Sequence, residues 1–568
     1  MHSHISPKKH WLLTFLALLL SVVSITTATP VCSKKCKIDP AKLPDLMAIT
    51  IDEISTQLRD GCFTSYQLTQ AYMARIRQVN CTFHAVLEVN PDALDIAKTL
   101  DEERASGKVR GPLHGVPILL KDNIATRDKL NTTSGSYALL GARVKRDSTV
   151  AAKLRSSGAI ILGKTGLSEW SNHRSDNSTS GWSARHGQIT SGYYPGLRPE
   201  GSSSGSGVAA DLGLALGALG TDTSGSIIAP SWRNNLVGIR PTVGLTSRAL
   251  VIPISERQDS VGPMARTVKD AAYILSAIAG KCSADNYTSA IPFKQIPEYW
   301  KDLNKDSFKG AKIGIPDAVF KKLDIPAPFK EEFDKAVEMI RGNGASIYKD
   351  LDFKSYDQYN VFTANHTLYM ACGLEFKTNI KKYLNDLEFN PNNIRNTEDL
   401  MKYTKADRRE EYPDRSIYLW EADTKLIPCE DNTCKLAWDI TQLRYQLGGE
   451  GGILGALASA GGKDGLDALV MPASDTLVDI AAIAGLPVVT VPLGFRPKDT
   501  EVKKDERGVV TAAPNEPFGL LFVGKAWDEQ KLINYAYAFE QKTQVRRKGP
   551  KQYKMPTAQI KDYMQTKP

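Results

Sequence analysis

Histidine is scarce in this chain. Eight of the 568 residues are histidines, and only His366 follows the serine-rich segment 201–207. Residues 201–205 read GSSSG and match the G-x-S-x-G pattern of a nucleophilic serine, with Ser203 at the centre. That pattern requires a strand before it and a later histidine, but two prolines and a glycine interrupt residues 193–200, and His366 lies within a glycosylation sequon. The scarcity therefore argues against a hydrolase in which histidine activates the serine.

Metal-ligand motifs, cofactor motifs and basic blocks are missing as well. The eight cysteines are not spaced as C-x-x-C, and only His84 lies near one of them, which argues against zinc. Residues 205–210 match the dinucleotide pattern G-x-G-x-x-A but follow no strand. The 72 Lys and Arg residues exceed the 63 Asp and Glu residues slightly and are spread along the chain, unlike a nucleic-acid footprint. The sequence therefore predicts no metal, no cofactor and no nucleic-acid partner.

The apolar run at the N-terminus is too short to span a membrane. Residues 11–20 are apolar, follow Lys8 and Lys9, and lead to small residues at 26–28. A spanning helix needs roughly 20 apolar residues. A basic start, a short apolar run and a small-residue end are typical of a secretory signal peptide. We therefore expect a signal peptide over residues 1–28, secretion, and no stable membrane association; an uncleaved anchor is the alternative.

Cysteines and glycosylation sequons agree with export. An even number of cysteines behind a signal peptide indicates disulfides. Cys32 with Cys36 and Cys429 with Cys434 lie close enough in the chain to close short loops, but the sequence leaves the pairing open. Five Asn-x-Ser/Thr sequons predict a glycoprotein; they are Asn80, Asn131, Asn177, Asn286 and Asn365.

Short apolar segments alternate with helical patterns along most of the chain. Thr50 and Thr64 begin capping boxes, TIDE and TSYQ, and each predicts the start of a helix. Strand candidates recur at 116–120, 160–162, 313–315, 468–471, 488–491 and 520–523. This alternation of strand and helix candidates predicts an α/β fold.

Three regions are expected after the signal peptide. Residues 29–44 form a leader, 45–550 one large domain, and 551–568 a C-terminal tail. Within the domain, the polar stretch 375–450 is expected to form a helical insertion or lid. The Ala- and Leu-rich stretch 208–219 is expected to form a buried helix between two serine loops.

The two serine loops contain many hydroxyl and N–H groups but no obvious base. They read GSSSGSG at 201–207 and GTDTSGS at 220–226. Lys121 ends the apolar segment 116–120, and a lysine buried at such a place has a lowered pKa and becomes a base when neutral. Serine–lysine pairs are an established variant of the catalytic triad. The interpretation is acyl transfer by serine and lysine, with flexible linkers as the structural alternative.

A set of ordered motifs resembles the amidase signature family. It begins with GPLHGVPILLKDN at 111–123 and includes both serine loops. Further blocks are GKT at 163–165, VGIRPTVGL at 237–245, GPMAR at 262–266 and AGLPVVTVPLG at 484–494. The resemblance extends from about Leu46 to Pro550, and LSEW at 167–170 is most similar to the peptide amidase branch. It implies the amidase signature fold, with a mixed central sheet flanked by helices on both sides, and catalysis without a cofactor.

The resemblance also implies a role for each site residue. Ser226 would be the nucleophile, Ser202 the bridging serine and Lys121 the base; the separation of 24 positions between the two serines matches the family. In the family a cis, non-proline peptide bond precedes the bridging serine. Ser203 and Asp222 would support the loops. The oxyanion would be held by the backbone N–H groups of Thr223, Ser224, Gly225 and Ser226.

Two positions depart from the family pattern. Ser224 stands where glycine is frequent, and Ile228 stands where arginine is frequent. The predicted function is a secreted amidase that converts a carboxamide into a carboxylate and ammonia or an amine through an acyl-enzyme. Its substrate would be the C-terminal amide of a peptide or a small aliphatic or aromatic amide. Three alternatives stay open: a catalytically silent binding protein on the same fold, an amidotransferase component, and an amidase for fatty acid amides.

Overall fold

The computed structural model of the chain describes residues 39, 42–175, 177–426 and 429–565. The predicted signal peptide 1–28, most of the leader 29–44 and the pair Cys32 and Cys36 lie outside these residues. Of the cysteines within them, Cys429 and Cys434 form a disulfide, a pairing that the sequence had left open.

Strands form the centre of the domain. They are β1 Val86–Val89, β2 Pro117–Lys121, β3 Ile160–Thr165, β4 Trp182–Ser183, β5 Gly187–Gln188, β6 Gly217–Asp222, β7 Val237–Arg240, β8 Ser260–Ala265, β9 Lys312–Gly314, β10 Ser346–Tyr348, β11 Ala468–Pro472, β12 Val488–Phe495, β13 Lys503–Lys504, β14 Val510–Ala512 and β15 Pro517–Val523. Eleven of them make one sheet in the order β1-β3-β2-β6-β8-β7-β12-β15-β11-β9-β10. The strands β3, β2 and β6 run parallel, whereas β6, β8, β7 and β12 alternate in direction.

Helices pack around this sheet. They are α1 Ile51–Arg59, α2 Ser65–Phe83, α3 Ala93–Ala105, α4 Thr149–Ser156, α5 Ser204–Asp211, α6 Ile228–Arg233, α7 Val268–Ile278, α8 Asp317–Phe320, α9 Ala327–Gly342, α10 Tyr356–Ala364, α11 Thr367–Asn385, α12 Thr397–Ala406, α13 Tyr418–Leu426, α14 Lys435–Tyr445, α15 Leu454–Ala458, α16 Asp475–Ile483, α17 Glu529–Thr543 and α18 Val545–Lys548. Within the described residues, no helix combines the length and the apolar character that crossing a bilayer requires.

The predicted α/β class with a mixed central sheet is confirmed. Each of the six strand candidates coincides with an observed strand, shifted by a few residues at most. Both predicted capping boxes are present: the hydroxyl of Thr50 accepts from the N–H of Glu53, and that of Thr64 accepts from the N–H of Gln67. These devices satisfy N–H groups that a helix start leaves without partners.

The expectation of one buried helix over residues 208–219 is wrong. Helix α5 begins earlier and ends at Asp211, Gly213 takes a left-handed backbone with φ of 60°, and the chain then enters β6 at Gly217. Strand β6 is buried on both faces, so its sequence lacks the alternation that marks a half-exposed strand. A helix and a strand therefore share one continuous apolar run.

Residues 356–458 form a mainly helical part that packs on the sheet domain. It contains α10 to α15, and a π-helical segment, Gln446–Ile453, links α14 to α15. Trp420 and Phe376 from this part pack with Trp170 in one apolar cluster. This helical part begins at residue 356, earlier than the start at residue 375 that the sequence predicted.

Candidate active site

Strand order brings Lys121 to the second serine loop, residues 220–226, and the hydroxyl of Ser203 joins that loop to the first one. Strands β2 and β6 are parallel neighbours, with Leu120 opposite Leu219. Their carboxyl ends therefore meet at the same edge of the sheet, where open α/β sheets place their sites. Lys121 is fully buried, and its Nζ lies 2.7 Å from Ser202 Oγ, 2.8 Å from Thr221 Oγ1 and 3.2 Å from the carbonyl oxygen of Thr221.

Burial changes the proton affinity of this lysine. It lowers the pKa of Lys121 from 10.5 to about 7, because no water stabilises the ammonium form, while the charges of Asp222 and Asp259 act in the opposite direction. At neutral pH the side chain of Lys121 is therefore an uncharged amine in a large fraction of the molecules. An uncharged amine has a lone pair that can accept the proton of Ser202.

The first serine loop is fixed from several sides. The peptide bond between Gly201 and Ser202 is cis, as the family resemblance implied, and the carbonyl of Ser202 accepts from the N–H of Ser168 at 3.1 Å. Ser203 links the two loops: its hydroxyl donates to the carbonyl of Thr221 at 3.1 Å, and its N–H donates to the carbonyl of Ser226 at 3.1 Å. Ser202 and Ser203 are both fully buried.

Ser226 lies in the loop between β6 and α6, residues 223–227, which we call the β6–α6 loop. Its side chain is 8% exposed, and its carbonyl is held by Ser203. Within the described part of the chain, no hydrogen bond joins the hydroxyl of Ser226 to that of Ser202. The structure thus brings Lys121 into contact with Ser202 and ties the backbone of Ser226 to the same loop.

An ion pair organises the β6–α6 loop. The carboxylate of Asp222 accepts from the N–H groups of Gly225 at 2.8 Å and Ile227 at 2.7 Å. Arg240, at the end of β7, donates to the same carboxylate at 2.8 Å and to the carbonyl of Asp222 at 2.8 Å, and both side chains are fully buried. Breaking such a pair from one side leaves an uncompensated buried charge. Through these contacts Asp222 holds the backbone of the β6–α6 loop in place.

The same ion pair changes the expected set of oxyanion donors. The N–H of Gly225 is occupied by Asp222 and is not free for a substrate, so its inclusion among the oxyanion donors is corrected. The N–H groups of Thr223, Ser224 and Ser226 donate to no acceptor among the residues that the structure describes. Gly225 contributes its backbone shape instead, because its φ of 90° is one that side chains disfavour.

Ser224 is accommodated without a left-handed backbone. Its hydroxyl donates to Asp479 Oδ1 on α16, and the other oxygen of Asp479 accepts from the hydroxyl of Tyr359 at 2.6 Å. Thr223 is held through its hydroxyl, which donates to Asp259 Oδ1 at 2.6 Å, and through its carbonyl, which accepts from Gln258 Nε2 at 3.0 Å.

Sequence reasoning did not single out Arg240, Thr221 or Asp479. Arg240 carried a usable signal, because it ends an apolar strand as Lys121 does. Thr221 and Asp479 carried none: a threonine inside a strand and an aspartate on a helix are ordinary, and only the tertiary contacts distinguish them.

The sheet and the buried lysine–serine contact define a class, an α/β protein with a serine–lysine site. A family model described as Amidase matches residues 67–446. A protein of Arthroderma benhamiae named "Putative amidase" is 47% identical over 547 residues, which cover 92% of this chain and 90% of that protein. The chain belongs to the amidase signature family and is an amidase.

Solved structures and further relatives agree with this assignment. The native peptide amidase from Stenotrophomonas maltophilia is 36% identical, with a TM-score of 0.76 and coverage of 90% of this chain and 98% of that one. This similarity matches the peptide amidase branch. A glutamyl-tRNA(Gln) amidotransferase component from a Synechococcus strain is also similar, at 31% identity over 514 residues, which cover 88% of this chain and 99% of the relative.

Proposed function

We propose that this amidase hydrolyses carboxamides through a relay of Lys121, Ser202 and Ser226 and an acyl-enzyme on Ser226. The observation that carries the proposal is the distance of 2.7 Å between Lys121 Nζ and Ser202 Oγ at a fully buried position. A buried lysine with a pKa of about 7 is suited to accept a proton near neutral pH.

The reaction would run in two halves. Neutral Lys121 takes the proton of Ser202, which takes the proton of Ser226, and Ser226 Oγ bonds to the amide carbon. The carbonyl electrons form an oxyanion that the free N–H groups of the β6–α6 loop stabilise. The relay returns a proton to the amide nitrogen, the C–N bond breaks, and ammonia or an amine leaves. Water then attacks the Ser226 ester by the same route and releases the carboxylate.

For the substrate we propose the C-terminal amide of a peptide or a small aliphatic or aromatic amide. The similarity to a protein named peptide amidase supports this choice over an amidotransferase role. We further propose that residues 375–450 act as a lid, since α12 to α14 and the second half of α11 lie in that stretch. The helix α10, which precedes the stretch, reaches Asp479 beside the β6–α6 loop through the hydroxyl of Tyr359.

The test is ammonia release from a panel of peptide amides and small amides. Ser226→Ala should lower kcat/KM by at least about 10³-fold on every amide that the wild type hydrolyses. Ser106→Ala, a matched loss of an exposed hydroxyl, should leave kcat/KM unchanged. Acid-quenched wild type should carry the acyl mass on the peptide that contains Ser226. Equal rates for wild type and Ser226→Ala would refute the mechanism, and a folded wild type inactive on the whole panel would favour a silent binding protein.

We also propose that the protein is secreted as a glycoprotein after removal of residues 1–28. The Cys429–Cys434 disulfide supports an oxidising compartment. Asn177, Asn286 and Asn365 are exposed and are the better candidates for glycans. The amide nitrogens of Asn80 and Asn131 donate within the fold at 2.8 and 2.9 Å and are less accessible. Intact-mass analysis before and after deglycosylation tests both statements, and a mature chain that retains Met1 would contradict the cleavage.

A further inference from the structure

A carboxylate lies beside the β6–α6 loop and has hydroxyl groups, not cations, as partners. Asp479 accepts from the Ser224 hydroxyl through Oδ1 and from the Tyr359 hydroxyl at 2.6 Å through Oδ2. The side chain is half-buried. Among the described residues, no lysine, arginine or histidine forms an ion pair with it. Ser224 is two positions before the proposed nucleophile, so this negative charge borders the place where the amide would react.

Two arginines of this region are paired with other carboxylates, and a third forms no ion pair among the described residues. Arg240 is paired with Asp222, and Arg257 is paired with Glu375. Arg444 approaches the region, with Nη2 4.0 Å from Cys372 Sγ, but it makes no ion pair with Asp479 in the described part of the chain. Ile228, two positions after Ser226, is fully buried and brings no charge.

The hydroxyl partners fix the carboxylate without neutralising it. Burial and the charge of Asp479 raise the pKa of Tyr359 well above its ordinary value, so this phenol keeps its proton and continues to donate. A fixed negative charge next to a developing oxyanion opposes the reaction of a neutral amide. A positive charge on the substrate would offset that opposition and be attracted to the site.

We propose that Asp479 sets the substrate preference of this enzyme by favouring amides that carry a positive charge close to the scissile carbonyl. This inference rests on the proposed function, because it assigns the substrate class of the same site. Asp479 is a specificity-determining residue here. It takes no proton from the substrate, and its contact with the β6–α6 loop is the hydrogen bond from the hydroxyl of Ser224.

A matched pair of amides isolates the charge. Trimethylammonioacetamide and 3,3-dimethylbutanamide have the same shape and differ by one permanent positive charge. Each is measured as a competitive inhibitor of the hydrolysis of one reference amide from the panel, so neither needs to be a good substrate itself. In the full-length wild type we expect the inhibition constant of the cationic amide to be about tenfold lower than that of the neutral one.

Two variants assign this preference to a residue. Asp479→Asn keeps an acceptor for Ser224 and removes the charge, and it should bring the two inhibition constants to within about twofold of each other. Asp475→Asn removes a charge one turn earlier on α16, at an exposed side chain, and should keep the preference.

Three outcomes would overturn the inference: equal constants in the wild type, a preference that survives Asp479→Asn, or a preference lost equally in Asp475→Asn. If hydrolysis of the reference amide by the wild type did not depend on Ser226, the proposed function itself would fail instead. The two failures are therefore distinguishable.

Discussion

Two buried lysines lie on adjacent strands and have different neighbours. Lys121 ends β2, and Lys164 lies opposite Leu120 on β3. Both side chains are fully buried, and burial lowers the pKa of both. The Nζ of Lys164 lies 2.7 Å from the carbonyl oxygen of Ile124 and 2.8 Å from Thr132 Oγ1, and these contacts include no serine. Burial thus favours the uncharged amine in both lysines, and Lys121 differs in that its Nζ contacts Ser202, a member of the proposed relay.

The largest effect should separate the two lysines by activity. Lys121→Met keeps most of the volume of the side chain and removes the base, and we expect kcat/KM to fall by about 10³-fold. Lys164→Met should change kcat/KM of the folded enzyme by less than about threefold, because its Nζ contacts no group of the proposed relay. Steady-state ammonia release measures both. A comparable loss in the two variants would mean that the contact with Ser202 does not define the base.

The two lysines also show which features of the fold and the site could be predicted from the sequence. The pattern that drew attention to Lys121, a lysine at the end of an apolar strand, fits Lys164 equally well, since residues 160–162 are apolar too. The α/β class, the strands and the helix caps follow from local patterns. The role proposed for Lys121 needed the family resemblance, because Ser202 is 81 positions away. Its loop is held beside β6, the parallel neighbour of β2, by tertiary contacts such as that of Ser203 with Thr221.

Other parts of the site carried no local signal. The ion pair of Arg240 with Asp222 removes Gly225 from the oxyanion donors, which spacing does not reveal. The contact of Ser224 with Asp479 joins residues 255 positions apart. The division of residues 208–219 into helix and strand was hidden because both elements are fully buried and therefore apolar throughout. Long-range contacts and double-sided burial are the physical reasons why the rest could not be predicted.

The second prediction concerns stability. Lys164→Met leaves the carbonyl of Ile124 and the hydroxyl of Thr132 without their donor, and an unsatisfied buried group costs about 1–3 kcal/mol. We expect the free energy of unfolding to fall by about 2 kcal/mol, measured by denaturant titration monitored by circular dichroism. Unchanged stability would show that the two acceptors find other partners.

The third prediction is a pH dependence that belongs to one lysine only. Lys121 must be neutral to act, so kcat/KM should rise with pH through a pKa of about 7 and fall about tenfold per unit well below it. The direction follows from the lowered pKa: the protonated, inactive form dominates on the acid side. Lys164→Met should keep this rise of kcat/KM with pH, the acid limb of the profile. A profile that is flat between about pH 5.5 and 8 would exclude Lys121 as the titrating base.

The smallest effect should come from the threonine beside each lysine. Thr221 Oγ1 lies 2.8 Å from Lys121 Nζ and also accepts from Asn123 Nδ2 at 2.9 Å, so it stabilises the charged ammonium. Thr221→Val should remove that stabilisation, lower the pKa of Lys121 further and move the acid limb to lower pH, with a loss of a few-fold in kcat/KM from looser positioning. Thr132→Val makes the same change beside Lys164 and should leave the limb in place. A shift toward higher pH in Thr221→Val, or an equal shift in both variants, would mean that the hydroxyl of Thr221 does not tune the base.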